Sequence, residues 1–575
     1  MPSSSNDKLP RHVADEYVDS LLHLDPILGT QLGSPIGVRC LPDLSPVGAD
    51  ARAAVARTAL RQLGEAETRP GACSDAERRC ARLLRERLTA ELEIHEAREH
   101  LRAVRNLRSP LHNIREAFTL MPAETPDDYV DMAARLRAVP AALRGYRASL
   151  TEGLSAGLPA GPKQVASVIG QITRWVGDSQ GPSWFRELVV GGPSVLRGEL
   201  DASAATAAEA YVELRDWLRE TYGPAVTGCP DVVGRERYAR WVRQWNGTEV
   251  DLEEAYAYGW SEFHRLRDDI VAEAANVLPV VPAWEVLRHL RERGEAIEGV
   301  EEVRAWLQLL TNEAIEALDG THFDLAERIR RVEVRIAPPG RSAAPYYTAP
   351  SEDFRRPGRT WLPTMGQRRF PVFDLVSTWY HEGVPGHHLQ LAQWVHVAGN
   401  LSRYQATVGL VSANTEGWAL YAERLMDELG FYSDPGWRMG YLDGQMMRAN
   451  RVIVDIGMHL QLRIPADSPF HPGERWTPEL AKEFIKAHTG RSADFIDSEI
   501  VRYLGMPGQA IGYKLGERAW LVGRDAARRA QGSSFDLKAW HMAALSLGSL
   551  GLDDLIDELS NLSAPSQAYG KQRER

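Results

Sequence analysis

The residues with the clearest chemical potential lie in Thr378-Trp379-Tyr380-His381-Glu382-Gly383-Val384-Pro385-Gly386-His387-His388-Leu389-Gln390. Two histidines four apart on a helix chelate zinc, and a glutamate beside the first serves as general base. Here the second histidine comes six or seven residues on. A helix rises roughly 1.5 Å per residue, so on an unbroken helix His381 and His388 share a face about 10 Å apart along the axis. That is too far for two bonds of about 2 Å to one ion. The spacing works only if the backbone loops out extra residues, and Pro385 and Gly386 supply the break. With two residues extruded, His387 stands where the i+4 histidine belongs; His388 is its rival and needs one more residue of slack. A bland reading stands beside this one, since His-Glu followed nearby by His-His arises cheaply in a long chain.

Three downstream segments add context. Asn414-Thr415-Glu416-Gly417-Trp418-Ala419-Leu420-Tyr421-Ala422-Glu423 reads as a helix start with an acid in its first turn. Glu416 lies 35 residues past His381 (381 to 416), which suits a third ligand on a second helix. Glu423, one heptad on, faces the same way and could orient a ligand histidine from behind. Arg448, Arg451, Asp455 and His459 fall on nearly one helix face, which points equally to a partly buried polar network or a surface ion pair. Glu499 to Gly516 gathers Arg502, Tyr503, Gln509, Tyr513 and Lys514 around a Pro507-Gly508 turn. A phenol or imidazole can donate to a developing oxyanion, and Arg or Lys can hold a substrate carboxylate.

The remaining chain must position these groups, and it reads as mostly helical. Leu84, Leu88 and Leu92 recur at helical spacing within Asp50–Arg105. Further helices are expected over Pro126–Leu150, Ala204–Arg219, Leu252–Val277 and Val303–Leu318. Val332–Ile336 alternates like a strand. Turn-rich breaks fall near 157–162, 191–193, 279–282 and 338–363. The start up to about Val13 reads as frayed, and the tail 561–575 as disordered.

Composition narrows the class. The chain has 575 residues, 44% hydrophobic and 25% charged, within the globular range. Its 67 Lys+Arg against 78 Asp+Glu give a net charge of −11, which argues against nucleic acid or anionic membrane as partner. Cys40, Cys73, Cys80 and Cys229 are too few and too scattered for a disulfide scaffold. No signal peptide or membrane span is legible. A cytoplasmic protein is expected.

The four segments together resemble the bacterial DUF885 family, whose members carry H-E-x-x-P-G-H-H-L-Q, E-G-W-A-L-Y, R-x-V-V-D-x-G-x-H and P-G-Q-A-x-x-Y-K. They correspond here to His381–Gln390, Glu416–Tyr421, Arg451–His459 and Pro507–Lys514, with Ile453 the departure in the third. Weaker similarity includes Met121-Pro122 and Tyr346-Tyr347. The family looks related to helical zinc peptidases of the gluzincin type. The resemblance implies a mainly α, large two-lobed helical fold with a central cleft and a few short strands. One unit spans 1–575, with lobes at about 15–330 and 331–560. It implies one zinc ion per chain on three of His381, His387, His388 and Glu416, with His387 preferred over His388. Glu382 then activates a zinc-bound water, Tyr513 and His459 stabilise the oxyanion, and Glu423 and Asp455 lie behind the ligands. Arg451, Arg502 and Lys514 grip a substrate carboxylate, with Tyr503 and Gln509 nearby.

The function expected is zinc-dependent hydrolysis of peptide or amide bonds in short peptides or small amide-bearing molecules. Alternatives are a metal-dependent biosynthetic step on a small molecule and a non-catalytic binding protein on a peptidase scaffold. Glu382 beside His381 counts against the last, because a structural site needs no general base.

Overall fold

Prolines open many of the helices in this chain, among them those at Pro10, Pro26, Pro46, Pro110, Pro126, Pro162, Pro435 and Pro478. The first helical position needs no amide donor and suits the fixed φ of proline. The start at Pro126 also has a capping box: the Thr125 hydroxyl accepts from the Asp128 amide, and the Asp128 carboxylate accepts from the Thr125 amide. A cap of this kind stabilises by about 1 kcal/mol. The computed structural model describes residues 8–69, 74–177, 182–337 and 344–562. Among them no helix is long and apolar enough to cross a membrane.

The expected helices form over Pro126–Ser155, Arg197–Trp217, Leu252–Val277 and Val300–Leu318, and the strand over Val332–Ile336. The start is not frayed to Val13, since a helix runs from Pro10 with Val13, Ala14 and Tyr17 buried. The expected tail falls almost wholly outside the described residues, as do Cys73 and residues 338–343.

Contacts divide the chain into two units, Met1–Arg240 with Val501–Pro507, and Trp241–Ile500 with Gly508–Arg575. In the first, Leu136, Val139, Leu143 and Leu150 pack with Leu200, Ala204, Ala207 and Tyr211 of the helix Arg197–Trp217. The Arg135 guanidinium is buried there and donates to the carbonyls of Pro26, Gly37 and Cys40 and to the Thr30 hydroxyl.

The second unit holds the chemistry-bearing segments from His381 to Glu499 and from Gly508 on. The lobe boundary expected at 330/331 falls inside it, because the helix Leu252–Val277 packs along the helix Pro435–Leu460. The helix Ser412–Glu428 crosses Gly512–Gln531 at glycines: a Cβ on Gly516 would stand 2.0 Å from the Ala413 carbonyl oxygen. Only glycine permits that approach. The proline-rich stretch after Ile336 is less irregular than its composition implies. Gly358–Leu362 pairs parallel with Val332–Ile336 and antiparallel with Tyr346–Thr348, so neighbouring strands supply the backbone partners that local sequence does not. A two-stranded antiparallel pair joins Ala296–Glu298 to Arg369–Pro371, directly before the helix that carries His381.

Candidate metal centre

Helix Val372–Glu382 delivers His381 and Glu382 in its last turn. It buries Val372, Phe373, Val376 and Trp379, so the apolar stripe fixes its rotation. The backbone then leaves the helix for Gly383, Val384, Pro385 and Gly386, with a cis peptide between Val384 and Pro385. A new helix, His387–His396, begins directly after. The interruption is therefore two helices with four residues between them, larger than a bulge of two. Gly386 folds back so that its amide donates to the Tyr380 carbonyl at 3.0 Å. A Cβ there would lie 1.9 Å from the His381 carbonyl oxygen, which excludes any other residue. The Trp418 indole N–H holds the loop from outside, reaching the Pro385 and Gly386 carbonyls at 2.9 and 3.1 Å.

This fold-back brings His387, not His388, beside His381 and Glu416. His381 Nε2 lies 3.4 Å and His387 Nε2 lies 3.5 Å from Glu416 Oε2. Ligand atoms of His381, Glu382 and His387 all lie within 4.8 Å of one another. Tetrahedral bonds of about 2.0–2.2 Å set ligand atoms roughly 3.3–3.6 Å apart, and each imidazole nitrogen stands at that separation from the Glu416 oxygen. His388 points the other way. It is buried, with Nε2 2.6 Å from the Ile329 carbonyl and Nδ1 2.9 Å from the Tyr347 hydroxyl. Both nitrogens are committed, and burial pushes its pKa down to about 4. It ties the new helix to the strand Tyr346–Thr348.

Glu416 comes from the helix Ser412–Glu428, which starts earlier than the sequence implied and places Glu416 past its first turn. One heptad later, Glu423 Oε1 meets His381 Nδ1 at 2.7 Å. A carboxylate there fixes the imidazole tautomer so that Nε2 faces the metal position. Ser377 donates to the other Glu423 oxygen at 2.8 Å, and Arg448 to Oε1 at 3.2 Å.

The electrostatics favour a cation. Burial disfavours charge on His381, yet Glu416 and Glu423 hold its pKa up at about 9. Burial alone would raise Glu416, but His381 and His387 outweigh it and hold the carboxyl well below its usual range. Glu382 is raised by burial, with the two histidines opposing. His387 Nδ1 is buried without a hydrogen-bond partner.

The other expected site residues divide. Tyr513 is near: its ring runs nearly parallel to the His381 imidazole, 17° apart with centroids at 6.4 Å. The Arg451 guanidinium lies 4.6 Å over that ring and donates to Glu499 at 2.8 Å. Asp455 is not behind a ligand histidine; it accepts from the Gly508 amide at 2.9 Å and has His459 at 3.7 Å. His459 is fully buried beside it, so this pair anchors the segment leading to Tyr513. Gln509 is also buried, 3.4 Å from the Ser412 hydroxyl. Arg502 and Tyr503 belong to the first unit, where the guanidinium lies 5.1 Å over the phenol ring. Tyr503 is fully buried and offers no surface to a substrate. Lys514 does not reach a substrate carboxylate, because it is fully buried and its protons go to Glu262, Gln445 and Glu517.

Sequence reasoning assigned no role to Ser377 or Trp418 and placed Arg448 only on a polar face. Trp418 stood in view inside the Glu416–Tyr421 segment. Its target, two carbonyls more than thirty residues upstream, left no local signal.

Two solved structures share this architecture. A "putative lipoprotein" from Colwellia psychrerythraea matches with a TM-score of 0.82 at 20% identity, over 96% of this chain and 98% of that one. A "putative lipoprotein of unknown function" from Shewanella oneidensis matches with a TM-score of 0.72 at 16% identity, over 96% of this chain and 100% of that one. No curated protein matches. A family model described as bacterial protein of unknown function (DUF885) matches residues 26–559. The chain belongs to the DUF885 family.

Proposed function

We propose that this protein is a zinc-dependent hydrolase of peptide or amide bonds in short peptides or small amide-bearing molecules. The observation that carries the reading is the separation of His381 Nε2 and His387 Nε2 from Glu416 Oε2 at 3.4 and 3.5 Å, with a Glu382 oxygen within 4.8 Å of both imidazoles. His381, His387 and Glu416 hold the ion, and Glu423 orients His381. A zinc ion at such a site supplies Lewis acidity and lowers the pKa of water.

The chain's own groups do the rest. Glu382, raised by burial, is placed to take a proton from the attacking water and pass it to the leaving amine. The Tyr513 phenol, whose ring lies beside the His381 imidazole, is the donor for the developing oxyanion. Arg451 covers the Tyr513 ring and donates to Glu499, which holds that ring in place. Glu382 is not needed to bind metal, which separates a catalytic from a structural centre. Glu382→Gln tests this: zinc content stays at one per chain while hydrolysis of a short-peptide or N-acyl amino acid substrate falls by about 10²–10⁴-fold. A Glu382→Gln protein that hydrolyses at the wild-type rate contradicts the mechanism.

A further inference from the structure

Lys514 follows Tyr513 in sequence and carries its charge to a place without water. It is fully buried. Its Nζ donates to Glu517 Oε2 at 2.6 Å, Gln445 Oε1 at 2.7 Å and Glu262 Oε2 at 3.0 Å. An ammonium has three protons, so this set uses every one. The acceptors lie on three helices, Gly512–Gln531 itself, Pro435–Leu460 and Leu252–Val277. One side chain thus ties the first turn of its own helix to two others.

Stability alone does not account for such a cluster. A buried ion pair is often no better than well-packed apolar residues of the same volume. What it adds is direction, since three bonds at fixed angles set both the rotation and the height of the helix. Adjacent helical residues point about 100° apart, so the rotation that sends Lys514 inward sends Tyr513 toward His381. Tyr513 is only partly buried, and it is the residue whose ring parallels the His381 imidazole.

We infer that Lys514 is a positioning residue that holds the first turn of the helix Gly512–Gln531 so that the Tyr513 phenol stays beside the metal ligand His381. The chemical consequence rests on the hydrolase reading; the positioning itself does not.

The test uses full-length zinc-loaded protein as wild type, Lys514→Met, Tyr513→Phe and the double variant. Amide hydrogen exchange is read over residues 509–517 and 520–531, together with kcat and KM. In Lys514→Met, exchange over 509–517 rises by about ten-fold or more while 520–531 and zinc content do not change. The kcat falls by up to about 10²-fold, with KM within about two-fold. In the Tyr513→Phe background the same substitution has little further effect on kcat, because the group it positions is gone. A purely structural role predicts the same loss in both backgrounds. Unchanged exchange over 509–517, or equal losses in the two backgrounds, overturns the inference. Should Lys514→Met fail to fold, Lys514→Met with Glu517→Gln removes that pair together, leaves Glu262 to Arg265, and answers the same question. Should Tyr513→Phe prove fully active, the hydrolase role of Tyr513 fails, and the exchange measurement alone still decides whether Lys514 pins the turn.

Discussion

Two buried charge clusters in the second unit follow opposite plans. Around Lys514 every proton of the ammonium meets an acceptor, on Glu262, Gln445 and Glu517 at 2.6–3.0 Å. Around His381 acceptors are in surplus. Glu382, Glu416 and Glu423 crowd two imidazoles, and Arg448 reaches only the outer carboxylate, Glu423. A buried cation whose protons are all taken is scaffold, since none is left to reach a ligand. A cluster that converges carboxylate and imidazole on one point is completed by a cation. Lys514 and His381 both come from motif segments, so residue type alone does not separate them; the partners that surround each one do.

The contrast is sharpest between neighbours. His387→Ala is expected to abolish zinc binding, a loss of several orders of magnitude in affinity. His388→Ala is expected to keep zinc and to destabilise the fold by about 2–4 kcal/mol, through its lost bonds to Ile329 and Tyr347. Zinc titration and thermal unfolding of both variants decide this, and retention of zinc by His387→Ala would break the comparison.

A smaller effect is expected at Glu423→Gln. It keeps a group beside His381 Nδ1 but removes the charge, and zinc affinity should fall about 10–100-fold without loss of the site. Chelator competition measures it. An unchanged affinity would mean that Glu423 is only a structural partner of Arg448 and Ser377.

The last effect, seen only as pH changes, concerns a buried histidine away from the centre. His541 is fully buried against Tyr421, and burial lowers its pKa to about 3. In the unfolded chain it titrates near its ordinary value, about 6.5. The unfolded state therefore binds the extra proton first. The stabilisation is complete above about pH 6.5 and is lost progressively as pH falls toward about 3, at no more than about 1.4 kcal/mol per pH unit. His541→Gln should flatten that slope in denaturant unfolding between pH 6 and 4. An identical slope would show that other groups carry the acid lability.

Much of the centre was legible because its residues are local in sequence. His381 and Glu382 share one helical turn, and Glu416 and Glu423 sit one heptad apart on another. The steric need for a break was readable from Pro385 and Gly386, although the size of the interruption was not. What the sequence withheld was long-range. His388 is set by a carbonyl at Ile329, Asp455 by an amide at Gly508, and Lys514 by Glu262, more than two hundred residues away. Spacing cannot distinguish a lysine reaching for a substrate from one reaching for two other helices. The helices were legible for the same reason as the ligands, since periodicity and N-terminal prolines are local. The strands Tyr346–Thr348 and Gly358–Leu362 were not, because pairing defines them more than composition does.

The central claim is that His381, His387 and Glu416 form a zinc site. Its most direct test is elemental analysis of purified wild type, His381→Ala and Glu416→Ala after zinc loading and dialysis. The account predicts about one zinc per chain in wild type and its loss in both variants. A wild-type protein that holds no zinc after loading, or variants that bind it as well as wild type does, would contradict it.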